Sequence, residues 1–133
     1  MTIKIFMRLL LKPEIFNLNN YNTMETQHSP IDILALERQI VQVLQRIYDP
    51  EIPVDIYRLG MIYKIRVDDN ANAIIVMTLT TPNCPVVELL PIEVKAKVAA
   101  LPNINSVDVE LTFDPPWSME MMSDSAKLDL WML

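Results

Sequence analysis

Residues 73–85, Ala73-Ile74-Ile75-Val76-Met77-Thr78-Leu79-Thr80-Thr81-Pro82-Asn83-Cys84-Pro85, decide how this chain folds. The first eight form a nearly continuous β-favouring run, as a central strand requires. The last five bring turn residues and the only cysteine. Upstream, Met61, Tyr63, Ile65 and Val67 alternate with Ile62, Lys64 and Arg66, and 68–72 is an Asp/Asn-rich turn. The two strands therefore read as an antiparallel hairpin. Gly60, the single glycine, marks a tight backbone turn just before it. Downstream, Leu90, Val94, Val98 and Leu101 make one apolar stripe of a helix. That helix starts either at Pro85, with a kink, or near Pro91, because a proline inside a helix removes a hydrogen bond. Val107, Val109, Leu111 and Phe113 then alternate with Asp108, Glu110 and Thr112 as a third strand.

Before the hairpin, Ser29-Pro30-Ile31-Asp32 reads as a helix start, with Ser29 capping and Asp32 completing a capping pattern. Ile33, Leu36, Ile40, Val43, Leu44 and Ile47 recur at helical spacing. The helix stops at Tyr48-Asp49-Pro50-Glu51-Ile52-Pro53, where two prolines hold a rigid loop carrying Asp49 and Glu51, with Asp55 just beyond. At the other end, Phe113-Asp114-Pro115-Pro116-Trp117-Ser118 leads to Met119, Met121 and Met122 and a short helix ending in Leu130-Trp131-Met132-Leu133. Clustered methionines fill irregular gaps in cores and also suit adaptable partner surfaces. The predicted class is α+β: a small, mostly antiparallel three-stranded sheet with two main helices on one face, plus a short C-terminal helix. Which hairpin strand the third strand joins is left open. Residues 1–28 are expected to be a poorly ordered extension and 29–133 the folded domain. The opening Met1–Lys12 is apolar, with Lys4, Arg8 and Lys12 as its only charges, and is too interrupted for a membrane span.

A chain of 133 residues with 51% hydrophobic content suits one domain with a modest core. A net charge of −6 argues against electrostatic binding to nucleic acid or a membrane surface. One cysteine allows no internal disulfide and fits a reducing cytoplasm. Nor can it hold an iron–sulfur cluster or structural zinc alone, since such sites take about four ligands. A second copy, a partner, a small thiol or nearby oxygen and nitrogen groups would have to complete the set. A cysteine just before a helix is favoured as thiolate by unpaired N–H groups and the helix dipole, whereas most lone cysteines are small buried hydrophobes. His28 is the only histidine and lies outside the expected domain, which argues against a Cys–His catalytic pair. No Gly-rich phosphate loop is present.

Three separate stretches carry a resemblance: 49–56 (DPEIPVDI) with 59–63 (LGMIY), 77–85 (MTLTTPNCP), and 113–118 (FDPPWS) with Met121-Met122-Ser123. Together, in this order, they resemble the SufT/PaaD-like family of iron–sulfur protein maturation, which is similar to a eukaryotic cytosolic targeting factor. The resemblance covers about Ile31 to Leu133. It implies an α+β fold, no turnover reaction, and a role in cluster assembly or delivery. Its signature residues fall on Asp49, Glu51, Thr80, Thr81 and Cys84, with the Pro115-Pro116-Trp117 turn nearby. On this reading Cys84 ligates iron or a cluster transiently, the acids and threonines tune it, and nothing is stably bound. The expected partners are iron–sulfur assembly proteins and client apoproteins, with a homodimer as a further arrangement. The alternative is a metal-free adaptor docking clients to the assembly machinery. An accessory subunit of a multicomponent oxygenase ranks lower, because that branch often carries a cysteine-rich C-terminal site and this chain ends without one.

Overall fold

In the computed structural model, residues 31–82 and 89–132 are described. The extension 1–28, the Ser29 cap and Cys84 with its neighbours lie outside the described residues. The chain divides between Ile31 and Asp32, and the unit Asp32–Leu133 holds the sheet and its helices. Its elements are α1 (Ile33–Leu44), β1 (Ile62–Val67), β2 (Asn72–Met77), α2 (Leu89–Ala99), β3 (Ser106–Leu111), a single 3-10 turn (Met119–Met121) and α3 (Asp124–Trp131).

Helix α1 buries Leu36, Ile40 and Leu44, the inner positions of the predicted stripe. Asp32, not Ser29, is its N-cap: the Asp32 side chain accepts the Ala35 N–H at 3.0 Å, covering a donor that the first turn leaves unpaired. The helix ends at Leu44, earlier than the prolines require. Ile47, read from sequence as helical, is buried just beyond the helix end.

The sheet has the order β1-β2-β3. β1 and β2 form the expected antiparallel hairpin, with Ile65 opposite Ile75 and Val67 opposite Ala73. β3 lies parallel to β2, with Ala73 beside Val107 and Met77 beside Leu111. A parallel neighbour needs a long crossover, and α2 supplies it. Ala73, Ile75, Met77 and Val107 are buried beneath α1 and α2, which pack against β1, β3 and each other. Each fully buried Ile or Met side chain contributes about 1.5–3 kcal/mol. Val94 and Val98 of α2 are fully buried. Pro91 sits third in α2, where a missing N–H costs no intrahelical bond, so it is compatible with an unbroken helix. Among the described residues, no helix is long and apolar enough to cross a membrane.

Candidate functional site

Strand directions bring the described parts of the three signature stretches to one end of the sheet. With β1 antiparallel to β2 and β3 parallel to it, the start of β1 and the ends of β2 and β3 coincide. Segment 47–61 therefore enters, and segments 78–82 and 112–118 leave, at the same edge. Backbone bonds tie them together: the Thr78 N–H donates to the Met61 carbonyl at 2.8 Å, and the Thr112 N–H to the Met77 carbonyl at 2.8 Å.

The 47–61 loop folds as a small hairpin closed by a bridge between Tyr48 and Asp55. Within 50–53 only Glu51 and Ile52 carry an N–H, because Pro50 and Pro53 have none. Both donate to Asp49 Oδ1, each at 2.9 Å. The Asp49 carboxylate is buried and serves its own turn. Asp55, also buried, accepts the Arg58 backbone N–H at 2.9 Å and pairs with the Arg58 guanidinium. Arg58 in turn reaches Asp129 of α3 at 2.7 Å. Bonding to Asp55 first, and to Asp129 second, raises the Arg58 pKa above its ordinary value. Val54, Ile56 and Leu59 are fully buried beneath this loop.

The tail is fastened to the same end. Tyr63 Oη donates to the Pro115 carbonyl at 2.7 Å. Trp117 Nε1 donates to the Leu59 carbonyl at 2.7 Å. Gly60 has a φ of 76°, and a Cβ there would run into the Met121 carbonyl. Its freedom is thus needed both for the turn and for the tail's close approach. The Ser123 N–H completes the seam on the Arg58 carbonyl at 2.8 Å.

Of the residues expected at the site, Asp49 is buried in its turn, Glu51 is exposed, Thr80 is half-buried and Thr81 is exposed. Cys84, the expected ligand, lies outside the described residues. Among the described residues no three His, Cys, Asp or Glu side chains converge to hold a metal ion. Sequence reasoning missed Arg58, whose signal was its position three residues after Asp55. It also missed Thr78, whose hydroxyl is fully buried without a partner among the described residues. Nothing local distinguishes that hydroxyl, because strand alternation alone places it on the outer face.

Known proteins resemble this chain over most of its length. Residues 37–111 match the family model described as "Iron-sulfur cluster assembly protein". A Porphyromonas gingivalis protein named "Fe-S protein maturation auxiliary factor" is 41% identical over 102 residues, covering 77% of this chain and 97% of the relative. The Bacillus subtilis auxiliary factor YitW is 38% identical over 96 residues, covering 72% and 94%. The crystal structure of a domain of unknown function (DUF59) from Bacillus anthracis superposes with a TM-score of 0.72 at 36% identity, covering 77% of this chain and 98% of that one.

Proposed function

The chain belongs to the iron–sulfur cluster assembly protein family, and on that premise we propose that it delivers iron or a cluster to client apoproteins through transient ligation by Cys84. Its role in iron–sulfur protein maturation follows from its Porphyromonas and Bacillus relatives. The observation supporting the finer reading is the gathering of the described parts of the three signature stretches at one sheet end. Segment 78–82 leaves β2 at that end, and Cys84 comes two residues after Pro82 in the sequence. A thiolate is the natural soft ligand for iron in a cluster, and one thiolate holding a cargo that others also ligate suits hand-over rather than storage. In this reading Thr80, Thr81 and Glu51 offer oxygen ligands or hydrogen bonds to the cargo. Asp49 contributes mainly by shaping the loop. The cluster is cargo, the chain performs no turnover reaction, and it works in the cytoplasm with assembly proteins and clients. A homodimer bridging one cluster through two Cys84 thiolates is a variant of the same reading.

A second reading, a metal-free adaptor, is favoured by the apolar side chains that α3 leaves in solvent. Leu128, Trp131 and Met132 are 56%, 81% and 78% exposed at spacings that put them on one helical face.

The deciding experiment is anaerobic reconstitution of wild-type and Cys84→Ser protein with iron and sulfide, followed by absorption and Mössbauer spectra. Delivery through Cys84 requires cluster signals in the wild type that vanish in the variant. A folded wild-type protein that takes up no iron, together with loss of client maturation in Trp131→Ala, would move the assignment to the adaptor.

A further inference from the structure

The sheet has a second face, which neither helix covers. Arg66 lies opposite Ile74, and Ile74 beside Asp108. Lys64 lies opposite Val76, and Val76 beside Glu110. Paired residues on neighbouring strands point to the same side, so these six side chains share the outer face. Lys64, Arg66, Asp108 and Glu110 are exposed, and Ile74 is 41% exposed. The face is therefore striped: basic along β1, apolar along β2, acidic along β3. Among the described residues, none of the four charges takes part in a salt bridge, because β2 holds the two charged strands about 10 Å apart.

From this pattern we infer that the outer sheet face is a self-complementary dimer surface, and that its occupant is a second copy of this chain. Two such faces can be stacked about a two-fold axis parallel to the strands or across them. The parallel axis lays β1 of one copy over β3 of the other. Arg66 then meets the partner's Asp108, Lys64 meets the partner's Glu110, and the Ile74–Val76 stripes meet at the centre. The crosswise axis lays β1 on β1 and β3 on β3, like charge on like, and is disfavoured. Sheets packed face to face keep their strands within about 30° of parallel, which the first arrangement satisfies. The contact is small: three strands of six residues present roughly 300 Å² per copy, against about 800 Å² per partner in a stable complex. The dimer is therefore weak and forms at high concentration. It needs no cluster, so it stands or falls independently of the delivery reading.

Sedimentation equilibrium of the full chain at about 0.5 mM and physiological ionic strength tests it. Wild type is expected to approach the dimer mass. D108K/E110K should weaken association by at least about tenfold, because basic rows would then face basic rows. That direction is diagnostic: the variant reduces the net charge of −6, which by itself would favour association. The variant K64E/R66E/D108K/E110K exchanges the two stripes, leaves net charge unchanged and should restore the dimer to within about threefold of wild type. A wild-type monomer across the range overturns the inference and leaves the face to a different partner. So does a dimer that survives D108K/E110K, or one that the exchanged variant fails to recover.

Discussion

The loop before β1 contains two turns, each built on a buried aspartate, and they do different work. The Asp49 turn is closed from within, since among the described residues its carboxylate accepts only the N–H groups its two prolines leave available. The Asp55 turn reaches outward: its carboxylate holds both the backbone and the guanidinium of Arg58, and Arg58 holds α3. Two acids on one loop thus serve different scales, one shaping the loop and the other joining loop to tail. A carboxylate that accepts local N–H groups through one oxygen can be replaced by a neutral acceptor of the same shape. One whose partner is a cation cannot.

Removing Asp55 is expected to have the largest effect. Asp55→Ala should cost about 2–3 kcal/mol in denaturant unfolding, less than the roughly 3–5 of a fully buried pair, because the Arg58 side chain is 30% exposed. Asp49→Ala comes next, at about 1–2 kcal/mol, because two backbone N–H donors lose their acceptor. The asparagine variants sharpen the contrast. Asp49→Asn should stay within about 0.5 kcal/mol of wild type, while Asp55→Asn should still lose about 1–2, since the charge-assisted bond is gone. An Asp49→Asn protein as unstable as Asp49→Ala would mean that Asp49 has a charged partner beyond its turn, and the comparison would fail. Asp129→Ala should cost no more than about 0.5 kcal/mol, as expected for an exposed ion pair.

The smallest effect concerns Asp68 at the β1–β2 turn, an exposed counterpart of Asp49. Its carboxylate accepts the Asn72 side-chain amide and the backbone N–H groups of Asn72 and Asn70. The Asn72 bonds lead in holding its pKa below the ordinary carboxylate value. A depressed folded-state pKa stabilises fully above the unfolded value, and that stability is lost as pH falls through the folded one. Melting temperature should therefore drop below about pH 4, and Asp68→Asn should shallow that drop. An identical acid profile in the variant would show that the hairpin turn does not depend on the charge.

Much of the fold was legible because period reports face. The alternation over 61–67 and 107–109 and the helical stripe over 33–44 each describe a surface that is wholly or partly buried, whereas Leu111 and Phe113, which continue the third alternation, are 37% and 41% exposed. The parallel pairing of β3 was not legible, because alternation fixes which side chains face inward and says nothing of which strand lies alongside. Nor was the cap, since Ser29 and Asp32 are both good capping residues and only the backbone at Asp32 chooses between them. For the site, the sequence placed acids on a proline-held loop correctly. It could not show that Asp49 is committed to Glu51 and Ile52, because lone pairs consumed by nearby N–H groups leave no trace in composition. The bonds from Trp117 to Leu59 and from Tyr63 to Pro115 join residues 58 and 52 positions apart, beyond any local pattern.

The fastening of Trp117 has an optical consequence. The chain has two tryptophans: one half-buried with its indole N–H bonded to Leu59, the other 81% exposed on α3. Their native emission should resolve into a bluer, quencher-resistant component and a redder, quencher-sensitive one. Release of the tail would shift the first, and anything that covers the C-terminal helix would shift the second. The molecule thus carries its own two-channel fluorescent readout, with no label added.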